Sequence, residues 1–374
     1  MGEQQGSALR QEIHAALNFL FHSPLISSVK PKLVPLGLLK FALGVFARIN
    51  IKKPIKRYLP RQFAKMQGIA KGAKVPMGIV YAVHFIETYS GNPKTSYVNP
   101  PVQACSQLFA LPEATADKEM WIARNYDFPN ILQPYQFVRR ETPEDGGFKT
   151  LCMTQFGMAS THMGLNERGL AIALNYGRSW KKQPLDYRFD GVPSTMIVQE
   201  ALETCETMDE AIKFITSFPH RAYGSHYGIL DKAGNACVIE TTATRAAIRR
   251  PEGGILVHTN LYLTSELRDA NCPDDVLWQF EGMRIPYTKS PRERYEREFF
   301  LLSSARGNIT IETLKSILRD HNNGEPSDFT PCTHGHVGST LASIIINPKV
   351  GDMWVTDNQP CKMEYQRFNI SSLV

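Results

Sequence analysis

The first 104 residues of this 374-residue chain contain no cysteine and only three acidic side chains. All seven cysteines lie in the remainder, so no disulfide can join the two parts. An odd number of cysteines without clustered spacing also argues against a disulfide framework and for reduced, mostly buried thiols.

The sequence also lacks an apolar run long enough to cross a membrane. The longest candidate, Leu33–Ile49, is interrupted by Pro35, Lys40 and Arg48, which makes it too short and too charged to span a bilayer. The first residues show no charged-then-apolar pattern of a signal peptide. We therefore expect a cytoplasmic protein.

Motifs for several ligand classes are missing as well. The chain has neither a phosphate-binding loop nor a dinucleotide fingerprint, and its basic N-terminal part lacks the motifs of nucleic-acid-binding proteins. In the segment 332–336, Cys332, His334 and His336 share one strand face. A zinc site needs a fourth ligand, and none follows nearby, so we expect no metal and no other cofactor.

The charges are divided as unevenly as the cysteines. Residues 1–104 carry 14 Lys and Arg, a net charge of +11, whereas residues 105–374 have a net charge of −5. Opposite charges suit two pieces that stay docked after a cut, and they equally suit a basic segment that contacts an anionic membrane.

The hydrophobic periodicity changes near Cys105. Before it, the spacing predicts helices over 8–22, 36–49 and 61–71, with the basic segment Lys52–Arg57 as a break. After it, period-two strands alternate with helices predicted over 194–203, 208–217, 292–304 and 311–320. Strands are predicted at 106–111, 121–126, 137–140, 150–156, 170–175, 226–230, 237–240, 255–259, 340–346 and 352–355. This order predicts an α+β layered sandwich.

Cys105 is the candidate nucleophile. A free thiol has a pKa of about 8.5 and is mostly protonated at neutral pH. If the chain were cut before Cys105, the new α-amine, with a pKa of about 8, would serve as the base for the same residue's thiol. The alternative is a buried core cysteine, which is the usual fate of cysteine.

Four polar side chains at predicted strand ends are candidate partners of Cys105. Arg124 and Asp127 end one strand, and both reach a single site only if that strand bends near residues 125–126; the alternative is a strand-end ion pair. Asn175 and Asn260 end two further strands, where a side-chain amide can donate to an oxyanion. The alternative role for these asparagines is turn capping.

In combination, these motifs resemble those of the cysteine N-terminal-nucleophile (Ntn) hydrolases. This superfamily includes choloylglycine hydrolase, penicillin V acylase, acid ceramidase and N-acylethanolamine acid amidase, and the chain is most similar to the acyl-coenzyme A:6-aminopenicillanic acid acyltransferase family. The resemblance extends from about residue 58 to the C-terminus. It is carried by Cys105, Arg124-Asn125-Tyr126-Asp127, Gly164-Leu165-Asn166-Glu167-Arg168-Gly169, Asn175, Thr259-Asn260, Arg294-Tyr295-Glu296-Arg297, Pro331-Cys332-Thr333-His334 and Gln359-Pro360-Cys361.

The resemblance implies a four-layer αββα sandwich and self-cleavage between Ala104 and Cys105. Residues 1–104 would then be a propeptide or α chain, and residues 105–374 the catalytic β chain of a zymogen. Ala104 stands where the acyltransferase has glycine.

The resemblance also implies a role for each site residue. Cys105 would be the nucleophile and its amine the base. Asp127 and Arg124 would orient that amine and the substrate, and Asn175 and Asn260 would form the oxyanion hole. Arg294 would belong to the hydrogen-bond network beneath Cys105, although Arg292 and Arg297 share its predicted helix.

The expected function is hydrolysis or acyl transfer at linear N-acyl amides through a Cys105 thioester. The partners would be a small-molecule amide or acyl thioester and the chain's own cleaved fragment. The alternative is an unprocessed, non-catalytic protein that contacts membranes through its basic N-terminal helices. A papain-type pair would instead require His226, His258 or His334 beside Cys105.

Overall fold

The computed structural model describes residues 1–23, 26, 32–90, 104–177, 179–180, 186–280, 283–335 and 338–372. Residues 91–103, shortly before Cys105, therefore lie outside the described residues, as does His336. The helices described before Cys105 are α1 (Gly2–Ala8), α2 (Arg10–His22), α3 (Leu36–Tyr58), α4 (Pro60–Ala73) and α5 (Met77–Ser90).

The predicted break at Lys52–Arg57 is wrong, because α3 continues through it to Tyr58. Pro54 lies inside the helix, where proline removes one backbone hydrogen bond. Ile51 and Ile55 on either side of it are fully buried. Burial of this apolar face keeps the segment helical despite the local sequence.

The described chain from residue 104 onward forms two large antiparallel sheets, the helices that cover them and a separate two-stranded sheet of residues 277–286. The helices are α6 (Ser194–Thr204), α7 (Met208–Thr216), α8 (Lys289–Ser304) and α9 (Ile311–Leu318). The strands are β1 (Ala104–Ala110), β2 (Trp121–Pro129), β3 (Gln136–Glu141), β4 (Thr150–Gln155), β5 (Met163–Asn166), β6 (Leu170–Tyr176), β7 (Ser225–Asp231), β8 (Ala236–Thr241), β9 (Ala246–Arg249), β10 (Ile255–His258), β11 (Leu277–Phe280), β12 (Met283–Pro286), β13 (Gly338–Asn347), β14 (Asp352–Val355) and β15 (Gln366–Asn369).

The layer order confirms the αββα sandwich. One sheet has the strand order β10-β1-β2-β13-β14-β15, and the other runs from β3 to β9 in sequence order. Side chains such as Phe109 and Ile344 of the first sheet pack against Leu165 and Leu230 of the second. Helices α8 and α9 cover the outer face of the first sheet. Helices α6 and α7 cover the second, and the N-terminal helices pack around them.

A buried ionic contact joins the N-terminal helices to the sandwich. The Lys65 ammonium lies 3.0 Å from the Glu141 carboxylate and 2.6 Å from that of Glu203, and all three side chains are almost fully buried. The opposite net charges of the two parts are thus matched by a specific pairing. Breaking a buried pair of this kind typically costs about 3–5 kcal/mol.

None of the helices in the described part of the chain has both the length and the hydropathy needed to cross a bilayer.

Candidate active site

The candidate residues converge where one end of the first sheet faces β6 of the second. In the β1–β2 ladder, Ala104 lies opposite Asp127 and Cys105 opposite Tyr126. Asn175 lies near the end of β6, and Asn260 follows the end of β10, the other neighbour of β1.

The Cys105 thiol is buried between the sheets and contacts Arg124. Nη2 of Arg124 donates to the sulfur at 3.0 Å, and its Nε donates to Oδ1 of Asn175 at 3.3 Å. Burial raises the pKa of the Cys105 thiol, and the Arg124 charge opposes that rise. The guanidinium also lies over the Tyr126 ring, 4.8 Å from its centroid. Arg124 is thus fixed on three sides against the sulfur.

The backbone of Cys105 has its own partners. Its N–H donates to Oδ1 of Asn260 at 3.1 Å, and its carbonyl accepts from Nη1 of Arg294 at 2.9 Å. Nη2 of Arg294 donates to the same Asn260 oxygen at 2.9 Å. The nitrogen that would become the α-amine therefore already lies in a defined hydrogen-bond network.

Asp127 approaches from the other face of β2. Its carboxylate accepts from the hydroxyls of Thr340 at 2.6 Å and Thr333 at 3.3 Å, and it lies 4.0 Å from Arg294. Burial raises the pKa of the Asp127 carboxyl, while the Arg294 charge lowers it.

The bend predicted near residues 125–126 is not found, since β2 is continuous from Trp121 to Pro129. The register shift in this part of the sheet lies on the neighbouring strand, between Thr340 and Ala342 of β13. Alternation along β2 instead places Arg124 on the thiol side and Asp127 on the side covered by helices. The two charges therefore act on Cys105 from opposite faces.

The three arginines of α8 have different positions. Arg294 is fully buried beneath Cys105. Arg292 pairs with Asp274 at the surface, and Arg297 forms two hydrogen bonds with Asp320. Only Arg294 of these three contacts the candidate site.

The histidines considered for a papain-type pair have other partners. His258 contacts Glu240 at 3.0 Å, and its ring lies 4.4 Å from that of His226. His334 lies between Cys332 and Cys361. Among the described residues, the side chain that donates to the Cys105 sulfur is an arginine.

Some residues of the site were not predicted from the sequence. Thr333 and Thr340 hold Asp127, and isolated threonines carry no local signal for such a role. Glu298 lies one helical turn after Arg294, and burial raises its pKa to about 8. The sequence could have pointed to Glu298 only through its spacing of four residues from Arg294, since positions i and i+4 share a helix face.

A pocket opens beside the bond that precedes Cys105. Its lining includes Ala104, Asn260, Arg294, Tyr287 and Pro291. The pocket therefore reaches the residue before Cys105 and two hydrogen-bond partners of the Cys105 backbone, Asn260 and Arg294.

Comparison with known proteins identifies one family. The model of the family described as acyl-coenzyme A:6-aminopenicillanic acid acyl-transferase matches residues 114–362, about two thirds of the chain. Among curated proteins, none matches.

Several solved structures are similar at low identity. An N-acylethanolamine-hydrolyzing acid amidase ortholog from Caenorhabditis elegans is 14% identical with a TM-score of 0.46, over 66% of this chain and 93% of that one. A mutant conjugated bile acid hydrolase from Clostridium perfringens is 14% identical with a TM-score of 0.45, over 71% and 92%. Penicillin V acylase from Agrobacterium tumefaciens is 14% identical with a TM-score of 0.45, over 72% and 87%.

Proposed function

Because the chain belongs to the acyl-coenzyme A:6-aminopenicillanic acid acyl-transferase family of Ntn-type enzymes, we propose that it cleaves itself before Cys105 and then acts on linear N-acyl amides. The observation that carries this proposal is the convergence of Arg124, Asn260 and Arg294 on the thiol, the nitrogen and the carbonyl of one residue.

Self-cleavage starts with attack of the Cys105 sulfur on the Ala104 carbonyl carbon. The C–N bond breaks, the leaving nitrogen takes the thiol proton, and water then hydrolyses the Ala104 thioester. Arg124, which donates to the sulfur at 3.0 Å, stabilises the developing thiolate against the raised pKa that burial imposes. The products are an Ala104 carboxylate and a free Cys105 amine.

In the catalytic cycle, that amine accepts the thiol proton and the sulfur attacks the substrate carbonyl. The amine then protonates the leaving nitrogen, and water or an acceptor amine resolves the thioester. Oδ1 of Asn260 and the Arg294 guanidinium hold the nitrogen and the carbonyl of Cys105 in place. Asp127 lies 4.0 Å from Arg294. Hydrolysis and acyl transfer differ only in the acceptor.

Asn175 and Asn260 differ in whether their amide nitrogen has a hydrogen left to donate to an oxyanion. The amide nitrogen of Asn175 donates to the carbonyls of His258 and Thr259, both at 3.2 Å. The amide nitrogen of Asn260 has one described acceptor, the Tyr176 carbonyl at 2.9 Å, which leaves it a second hydrogen for the oxyanion. Asn260 is therefore the donor to the oxyanion, and Asn175 positions Arg124.

A row of aromatic side chains lies beside Cys105. Tyr126, opposite Cys105 in the ladder, stacks on Phe128 at 5.3 Å, and Phe128 stacks on Tyr176 at 6.2 Å. Tyr223 continues this row at 5.5 Å from Tyr176. The three tyrosines are fully buried, so the row is part of the packed core that supports the Arg124–Tyr126 contact.

Trapping of the thioester tests the proposed chemistry. Processed protein is incubated with an N-acyl amide, quenched in acid and analysed by mass spectrometry, with Cys105→Ala as the control. We expect an acyl adduct on Cys105 that is lost on treatment with hydroxylamine. Parallel reactions with an acyl-coenzyme A and an amine distinguish transfer from hydrolysis, and the lack of an adduct with every acyl donor would refute the proposal.

A membrane-associated role is the second candidate, and the exposure of α3 favours it. Phe41 and Ile49 are 69% and 72% exposed, and Lys52, Lys53, Lys56 and Arg57 lie on the same helix. Apolar and basic residues together suit an anionic interface. Vesicle sedimentation of the wild type beside a charge-reversal variant of these four residues tests it; equal, negligible binding would exclude it.

A further inference from the structure

A second group of reactive side chains includes both neighbours of Thr333, the residue that donates to Asp127. It consists of His321, Cys332, His334 and Cys361, here called the Cys332 cluster. One ligand atom from each residue lies within 4.8 Å of all the others. Nε2 of His334 is 3.4 Å from the Cys332 sulfur and 3.2 Å from the Cys361 sulfur.

The two sulfur–nitrogen separations are those of neighbouring ligands around a single zinc ion. Zinc binds thiolate sulfur at about 2.3 Å and imidazole nitrogen at about 2.0–2.1 Å, in tetrahedral geometry. Tetrahedral angles then put neighbouring sulfur and nitrogen ligands about 3.5 Å apart. The two observed sulfur–nitrogen distances, 3.4 Å and 3.2 Å, are close to that value.

His321 supplies an independent indication. Its Nε2 is buried and has no hydrogen-bond partner among the described residues. The ring meets that of His334 edge to face, with centroids 5.1 Å apart. A buried polar atom without a partner costs free energy, and coordination of a metal ion would remove that cost.

The donor set also fits zinc in charge and accessibility. Two thiolates and two neutral imidazoles balance a divalent cation, and sulfur ligands select zinc over magnesium or calcium. Cys332 is buried and Cys361 is exposed, so an ion can enter from the solvent side. Four protein ligands leave no open position, which is typical of a structural site.

The surrounding backbone holds the ligands in place. The Cys332 N–H donates to the Asp320 carbonyl at 3.1 Å. Nε of Arg319 donates to the Pro360 carbonyl at 2.8 Å, next to Cys361. The three chain segments that carry the ligands are thus connected without any ion, as a preformed site requires.

We propose that His321, Cys332, His334 and Cys361 bind one Zn²⁺ in a closed, four-coordinate structural site. The site fixes the segment whose Thr333 hydroxyl donates to Asp127 at 3.3 Å. Zinc would therefore support the candidate active site without taking part in its chemistry.

Metal analysis of the full chain, purified without an affinity tag or chelator, tests the proposal. We expect about one zinc per chain by mass spectrometry of the elements, released on blocking the thiols. Cobalt substitution should give the absorption bands of a tetrahedral cobalt–thiolate centre. A wild-type chain that holds no zinc as purified and takes up none on reconstitution would overturn the proposal.

Matched variants locate the ion. Cys361→Ser and His321→Gln should each lower the zinc content at least tenfold, whereas Cys205→Ser and His220→Gln, outside the cluster, should retain it. Circular dichroism checks that each variant is folded. If Cys361→Ser does not fold, His321→Gln alone tests the assignment. Full zinc retention in both cluster variants would contradict the assignment. So would a wild-type mass lower by two hydrogens together with a Cys332–Cys361 linked peptide, which would show a disulfide instead.

Discussion

Three of the seven cysteines lie in two contrasting polar environments, which the contact between Thr333 and Asp127 connects. At Cys105 a single buried thiol faces the fixed positive charge of Arg124 at 3.0 Å. In the Cys332 cluster, two thiols face two imidazoles within 4.8 Å. A lone thiol beside a guanidinium is suited to act as a nucleophile, because the charge stabilises thiolate without coordinating it. Paired thiols with imidazoles are suited to hold a metal.

The sharpest way to break this comparison is to change one sulfur in each environment. Cys105→Ser should lower activity by about 10³-fold or more, because the hydroxyl is a far weaker nucleophile, and zinc should remain bound. Cys361→Ser should have the opposite pattern, with zinc lost and activity lowered far less than in Cys105→Ser. Parallel assays of turnover and zinc content check both. Loss of the same property in both variants would show that the two environments are not distinct.

Arg124 is the next test, since it defines the Cys105 environment. Arg124→Leu should lower kcat/KM by about 10²–10³-fold. Removing the positive charge raises the thiol pKa further, so the ascending limb of the pH–rate profile should move to higher pH. Arg124→Lys keeps the charge but loses the Asn175 contact, and it should be intermediate.

Arg292→Leu is the control for that series. It lies on α8, and its side chain pairs with Asp274 at the surface, so it should change the rate little. An unshifted pH profile in Arg124→Leu would mean that the guanidinium does not stabilise the thiolate.

Thr333 gives the smallest expected effect, because it only connects the two environments. Thr333→Val removes one hydrogen bond to Asp127 and should cost about 1 kcal/mol, or about fivefold in kcat. Zinc content should be unchanged, which separates loss of the contact from loss of the metal. Thr216→Val on the surface of α7 is the control. A wild-type rate in Thr333→Val would mean that the Cys332 cluster does not act on the active site through this residue.

The elements of the fold that depend on local hydrophobic periodicity could be predicted from the sequence. The strands beginning near residues 106, 121, 170 and 255 and the helix containing Arg294 were predicted from periodicity, and they position Cys105 and its partners. The four-residue strands β5, β9, β11, β12 and β15 were not predicted, whereas β10 and β14, which are equally short, were. Helix α5 and the end of α3 were also missed, because tertiary burial decides them.

Other features depend on contacts between distant segments. Cys361 lies 27 residues from His334 in sequence but 3.2 Å from it in space, so counting nearby ligands could not find the complete cluster. The predicted bend in β2 assumed that Arg124 and Asp127 reach Cys105 from one side. Because Arg294 lies on the opposite face of the sheet from Arg124, the strand does not have to bend. The sequence could not show this, since the position of Arg294 depends on how α8 packs on the sheet.

Intact mass analysis of the purified protein tests the central claim most directly. The wild-type chain should separate into fragments of 104 and 270 residues, the larger one beginning at Cys105 with a free amine. Cys105→Ala should remain a single chain of 374 residues. A wild-type chain that stays uncut after prolonged incubation, or a Cys105→Ala variant that is cut at the same bond, would contradict the account.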